Sequence, residues 1–148
     1  ELGLLTPDHE QKPKMRHNDS HKFESQFIGL TIPENNSVMF GSLSDSKLGI
    51  WVAHGEGKFV VSDEMAEELF RNGQVAFQYV DPDGNATLRA PYNPNGSSFG
   101  IEGIISRDGH ILGKMGHTER YEDGLFKNIA GNKVQEIFAN AVNYFKGK

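Results

Sequence analysis

The sequence predicts a mixed sheet with helical cover, in the α/β or α+β class, on three observations. Short apolar runs with strand-like alternation recur between Gly, Pro, Asn and Asp clusters. One segment in the middle of the chain switches to helical spacing. The C-terminal residues repeat their apolar positions on a single helical face. Order alone does not choose between the two classes.

The first residues, Glu1-Leu2-Gly3-Leu4-Leu5, have the Gly-interrupted apolar pattern of a helix tail that stops before Thr6-Pro7-Asp8. With no initiating methionine, this start reads as a piece of a longer polypeptide. Residues 7–20 are polar, carry Pro13 and read as a loop. Phe23, Phe27 and Leu30 on one parity, with Ile28 and Ile32 on the other, predict a strand over residues 21–32, closed by Pro33-Glu34-Asn35-Asn36. Val38, Phe40 and Leu43 form a second short apolar piece. Leu48-Gly49-Ile50-Trp51-Val52-Ala53 is continuous, as expected of a strand buried on both faces.

Ser62 is an N-cap for a helix whose first turn is acidic, with Met65, Ala66, Leu69 and Phe70 on its inner side, and Asn72-Gly73 ends it. Gln74-Val75-Ala76-Phe77-Gln78-Tyr79-Val80 alternates as a strand, and Asp81-Pro82-Asp83-Gly84-Asn85 is a turn. Residues 91–98 are irregular. Two strands, 100–106 and 110–115, follow as a hairpin around Arg107-Asp108-Gly109. An amphipathic helix over residues 132–145 closes the chain, with Val134, Ile137, Phe138, Ala141, Val142 and Phe145 as its apolar face.

Composition narrows the function. The 148 residues make one domain. Lys+Arg 15 against Asp+Glu 20, with no basic block, argues against nucleic acid. No apolar run approaches the roughly 20 residues that span a bilayer, and no signal peptide is evident, so a soluble cytoplasmic protein is expected. Cys 0 leaves no disulfide, no thiolate metal site and no thiol nucleophile within the chain.

Four constellations carry possible chemistry. His117 and Glu119 in Gly116-His117-Thr118-Glu119-Arg120 are two residues apart, which in an extended segment places both side chains on one face. A carboxylate beside an imidazole fixes its tautomer and leaves the other ring nitrogen to exchange a proton. His54, Gly55 and Glu56 follow the most apolar strand directly, where ligands collect in open sheets, although a plain Gly-flanked turn explains them equally. His17 and His21 have metal-chelating spacing only on a helix, and the turn formers between them argue against one. Asn93-Pro94-Asn95-Gly96-Ser97 reads first as a rigid turn. Ser97 and Ser98 lie outside any Gly-x-Ser-x-Gly elbow and are poor nucleophiles.

Four segments recur together and in order. They are Ile50-Trp51-Val52-Ala53-His54-Gly55-Glu56-Gly57, Val75-Ala76-Phe77-Gln78-Tyr79-Val80-Asp81, Asn93-Pro94-Asn95-Gly96-Ser97 and Gly116-His117-Thr118-Glu119-Arg120. With Asn18-Asp19-Ser20-His21-Lys22-Phe23-Glu24 they resemble the C-terminal portion of the glutaminase domain of the phosphoribosylformylglycinamidine synthase family. The resemblance implies an α/β fold of the class I glutamine amidotransferase type, a mixed sheet with flanking helices, truncated at its N-terminal side.

It also implies a purine-biosynthesis ligase in which a cysteine attacks the glutamine amide, a histidine relays protons and a glutamate orients the histidine. His117 and Glu119 match that pair, and His54, Gly55 and Glu56 match a segment that lines the glutamine pocket in related enzymes. ATP and Mg2+ are implied for the synthetase domain, and no cofactor for this segment. The family usually reads Pro-His-Pro-Glu-Arg, so Gly116 and Thr118 stand where prolines are usual. Without a cysteine, the chain is expected to begin just after the nucleophile elbow and to be inactive alone. Its cut sheet is expected to promote self-association. The alternative is a nucleophile-less structural or interaction module.

Overall fold

Pairing between distant segments, more than local periodicity, organises the chain. A computed structural model describes residues 3–6, 13–43, 47–130 and 133–147. Its strands are β1 (Lys14–Arg16), β2 (Glu24–Thr31), β3 (Lys47–His54), β4 (Lys58–Val60), β5 (Val75–Val80), β6 (Ile101–Ile105) and β7 (Leu112–Lys114). The helices are α1 (Asp63–Arg71) and α2 (Ile137–Phe145). β1 and β4 form a two-stranded ribbon, and the remaining strands form a five-stranded sheet in the order β3-β2-β5-β6-β7. The fold is mixed α/β, and each pairing among the described residues is antiparallel.

The longest ladder joins β2 to β3, from Glu24 opposite His54 to Thr31 opposite Lys47. Gly49 lets it close, because a Cβ there would lie 2.2 Å from the Phe27 ring. β5 lies between β2 and β6 and is buried along almost its whole length, so the alternation expected of it is absent. β3 departs from expectation in the opposite sense. It pairs with β2 alone among the described strands, so Ile50 and Val52 are buried while Trp51 is only half covered, stacked on Phe126 at 5.7 Å. Burial on both faces needs cover that an outer strand lacks.

Two apolar clusters fix the layers. One joins Leu30, Ile32, Phe40, Val52, Phe77 and Tyr79 to Ile105 and Ile137. The other seats Met65 and Leu69 of α1 against Phe59, Val75, Ile101 and Ile104. α1 starts where its capping residue says it should, with the Ser62 hydroxyl accepting from the Met65 amide at 3.3 Å. Asp81 Oδ1 accepts from the amides of Asp83 (3.0 Å) and Asn85 (2.9 Å) and so builds the turn after β5.

Four expectations towards the chain's two ends are corrected. Gly3 to Thr6 are bends and no helix tail, since Gly3 at φ 71° sits in the left-handed region; residues 1 and 2 lie outside the described residues. Part of the predicted loop is β1, whose three exposed residues give no apolar pattern to read; residues 7–12 lie outside the described residues. The C-terminal helix begins at Ile137, with residues 131 and 132 outside the described residues. Of its apolar face only Ile137 is buried, whereas Phe138 is 68%, Val142 49% and Phe145 68% exposed. The strand predicted from residue 21 starts at Glu24, because His21 takes a left-handed turn at φ 53°. No helix among the described residues is long and apolar enough to cross a membrane.

These burials predict a contrast. Leu30→Ala, in a fully buried position, should lower unfolding free energy by about 2–5 kcal/mol, and Phe138→Ala should change it by less than about 0.5 kcal/mol. Urea denaturation of the two variants checks this. Equal losses would contradict the assignment of the C-terminal face as solvent-exposed.

Candidate active site

β3 ends at His54, and the chain turns through Gly55, Glu56 and Gly57 into β4. The buried Asn18 staples this turn. Its Nδ2 donates to the carbonyls of His54 (2.7 Å) and Lys22 (2.9 Å), its Oδ1 accepts from the Gly57 amide (3.0 Å), and its own amide donates to the Gly55 carbonyl (2.9 Å). Asn95 holds the other side, donating to the Gly57 carbonyl at 2.8 Å and the Tyr79 hydroxyl at 2.9 Å. A Cβ at position 57 would lie 2.2 Å from His54 Nδ1 and 2.5 Å from Asn95 Nδ2, so glycine is what lets ring and amide converge.

The 93–97 segment is the rigid turn expected of it. Asn93 Nδ2 donates to the Ser97 carbonyl and the Ser97 amide returns a bond to Asn93 Oδ1, both at 3.0 Å. Ser97 Oγ accepts from the Phe59 amide at 3.1 Å, and Ser98 Oγ from the Val61 amide at 3.4 Å. Both hydroxyls are engaged in holding β4 and the residue after it.

His117 is placed by its main chain, whose amide donates to the Trp51 carbonyl of β3 at 2.8 Å. The residues that follow are not extended, as the sequence led one to expect; Thr118 to Arg120 form a single 3-10 turn that swings Glu119 back towards the ring. His117 Nδ1 and Glu119 Oε1 are 2.6 Å apart. With the carboxylate accepting from Nδ1–H, Nε2 is the nitrogen that carries the lone pair. That hydrogen bond holds the Glu119 carboxyl below the usual carboxylate range, with its own backbone amide adding to the effect.

His54 closes the strand whose Trp51 carbonyl holds the His117 amide. Burial above all holds the His54 imidazole below its ordinary pKa, with Glu24 opposing the shift. Both its ring nitrogens are buried without a hydrogen-bond partner among the described residues. Gly55 contributes backbone only. Glu56 points elsewhere, facing His17 Nδ1 at 3.4 Å and bordering a groove of about 640 Å3 with Leu4, Phe59 and Met115. Glu119 borders a separate cavity of about 550 Å3 with Trp51, Tyr121 and Phe126. The fold thus pairs His117 with Glu119, sets His54 at the end of the strand that anchors them, and leaves Glu56 on a different opening. Among the described residues no group of three or more His, Cys, Asp or Glu could hold a metal ion.

One acidic residue escaped the sequence reading. Glu102 lies within β6, 2% exposed, and its Oε1 accepts from the amides of Met115 (3.0 Å) and Gly116. Burial pushes its carboxyl up, against Lys114 and the two amides. The available signal was a lone carboxylate inside the apolar run Ile101-Glu102-Gly103-Ile104-Ile105. Gly116 and Thr118, which flank His117, are also bonded. Beyond the Gly116 amide on Glu102, Thr118 Oγ1 donates to Gln135 Oε1 at 2.9 Å and accepts from Lys114 Nζ.

Comparison with known proteins identifies the family. The model of the CobB/CobQ-like glutamine amidotransferase domain matches residues 1–145. The phosphoribosylformylglycinamidine synthase of Drosophila melanogaster is 48% identical over 105 residues, covering 70% of this chain and 8% of that protein. The synthase of Saccharomyces cerevisiae is 40% identical over 147 residues, covering 88% of this chain and 11% of that protein. The chain therefore spans about a tenth of the length of the curated relatives it matches. The structure of PurLQS from Thermotoga maritima superposes with a TM-score of 0.64 at 25% identity, covering 91% of this chain and 54% of that one. By sequence and by fold, the chain belongs to the CobB/CobQ-like glutamine amidotransferase domain family.

Proposed function

We propose that this chain supplies the proton-relay half of a glutaminase site in a phosphoribosylformylglycinamidine synthase acting in the cytoplasm. The observation that carries the reading is the 2.6 Å contact between His117 Nδ1 and Glu119 Oε1, on a backbone pinned to Trp51. Glu119 orients the ring and stabilises the imidazolium; Nε2 takes the proton of a cysteine thiol that this chain does not contain. The thiolate attacks the glutamine carboxamide carbon, and His117 delivers the proton to the departing ammonia. Water then hydrolyses the acyl-enzyme to glutamate with His117 as base.

Neutral His54 at the end of β3 forms an uncharged wall beside the relay, with the Gly55 backbone completing the glutamine pocket. Glu56, on the other opening, has the weaker claim to substrate contact. The ammonia passes to a synthetase domain, where ATP and Mg2+ would drive amidation of formylglycinamide ribonucleotide; no residue of this segment is assigned to them.

Three outcomes are expected. Glutamate release from glutamine by the chain alone should stay at background, whereas the full-length enzyme should turn over and lose at least about 1,000-fold in kcat on His117→Ala. Turnover by the isolated chain that vanishes in that variant would overturn the division of the triad.

The second outcome concerns pH. His54 has its folded pKa depressed, so the unfolded chain binds its proton first as pH falls, and stability is lost from about 6.5 downward. Thermal unfolding from pH 7.5 to 5 should therefore fall more steeply for the unaltered chain than for His54→Gln; parallel curves would exclude a neutral buried His54.

The third is self-association. β7 has an unpaired outer edge among the described strands, next to the apolar groove that holds Leu4, Phe59 and Met115. Light scattering at high concentration should report species larger than a monomer.

A further inference from the structure

The geometry points to Glu102 as a positioning residue for His117, one that acts through the main chain of Met115 and Gly116. This rests on the assignment of His117 to the glutaminase relay. Three observations support it. First, a buried carboxyl group is costly to hold, and Glu102 directs one oxygen, Oε1, at two consecutive amides, those of Met115 and Gly116, while Oε2 is buried without a hydrogen-bond partner among the described residues. Those amides immediately precede the catalytic histidine, so the carboxylate fixes the direction in which the chain enters His117. Two donors converging on one fixed oxygen define the orientation of both peptide units.

Second, the partner position is specific. A Cβ at 116 would lie 2.6 Å from Ile50 Cδ1 and 2.9 Å from Glu102 Oε1. Any side chain here would force Ile50 and Glu102 to shift, and the bond to Glu102 needs an amide hydrogen. Proline, usual in the family at this point, adds a ring and lacks that hydrogen. Here an acceptor from the neighbouring strand restricts the backbone before the histidine.

Third, the residue after His117 is tied down by the same group of side chains. Lys114, half-buried and drawn electrostatically towards Glu102, donates to Thr118 Oγ1; Thr118 in turn bonds Gln135, whose Nε2 reaches the Gly49 carbonyl at 3.3 Å. Both flanks of His117 are thus anchored to the sheet, at Glu102 of β6 on one side and, through Gln135, at Gly49 of β3 on the other.

The test uses the full-length enzyme carrying this segment, with Glu102→Met to remove the acceptor at similar volume and Glu102→Gln to keep one. Glu102→Met should lower kcat for glutamine hydrolysis about 10- to 100-fold, as expected for small misplacement of a reacting group. KM for glutamine should stay within about twofold, and Glu102→Gln should return to within about threefold of the unaltered enzyme. If Glu102→Met keeps its kcat while His117→Ala abolishes hydrolysis, the positioning role falls and the relay stands. If His117→Ala itself retains hydrolysis, the relay falls. The anchor is then judged on the 15N-labelled chain: a downfield, slowly exchanging Gly116 amide supports it and a freely exchanging one overturns it. That measurement on the unaltered chain also decides the matter should Glu102→Met fail to fold.

Discussion

The hydrogen bond from the His117 amide to the Trp51 carbonyl joins the sheet to the chemistry, and much else follows from where it sits. Trp51 belongs to β3, whose outer edge is free because β3 pairs with β2 alone among the described strands. An unpaired carbonyl on that edge is available to a passing segment, and residue 117 takes it. The register of β3 against β2 therefore sets the height of the imidazole above the sheet. A slip of one residue would exchange the faces of β3 and present a different carbonyl environment to His117. Gly49, fitted against the Phe27 ring, and the apolar contacts of Ile50 and Val52 hold that register.

Around this junction the protein buries polar groups in place of purely apolar packing. Asn18, Asn95 and Glu102 are each almost inaccessible, and each bonds backbone of a turn or loop that carries or flanks a site residue. Such anchors add little net stability, because water satisfied the same groups in the unfolded chain. They gain orientation: misplacing the turn would strand a buried donor or acceptor, which costs about 1–3 kcal/mol for each group left unmade. Local turns, with little regular structure of their own, thereby acquire defined geometry.

The regular elements were legible in the sequence where local chemistry and tertiary context agree. Ser62 and Asn72-Gly73 bounded α1 correctly, and Asp81 formed the turn its spacing announced. The His117/Glu119 pairing was legible too, although it arises from a 3-10 turn and not from a pleated strand. β1 was invisible because its pairing lies in β4 and its own residues are all exposed. The apolar face of α2 misled because periodicity records an amphipathic surface without recording what covers it. Glu102 was passed over since burial inverts the usual reading of a charged residue, and its partners are main-chain amides that no side-chain motif encodes.

The close fit at Gly116 reaches beyond the geometry of one molecule to the routes by which its sequence can change. Installing a proline there removes the amide that Glu102 accepts from and drives ring atoms into Ile50. Replacing Glu102 alone leaves two amides without their acceptor. Neither single step is comfortable, so an interconversion between this pattern and the proline form would need changes at 102 and 116 together, with Ile50 adjusting. In this chain Gly116 and Glu102 constrain one another, because neither can be replaced alone without leaving a buried group unmatched.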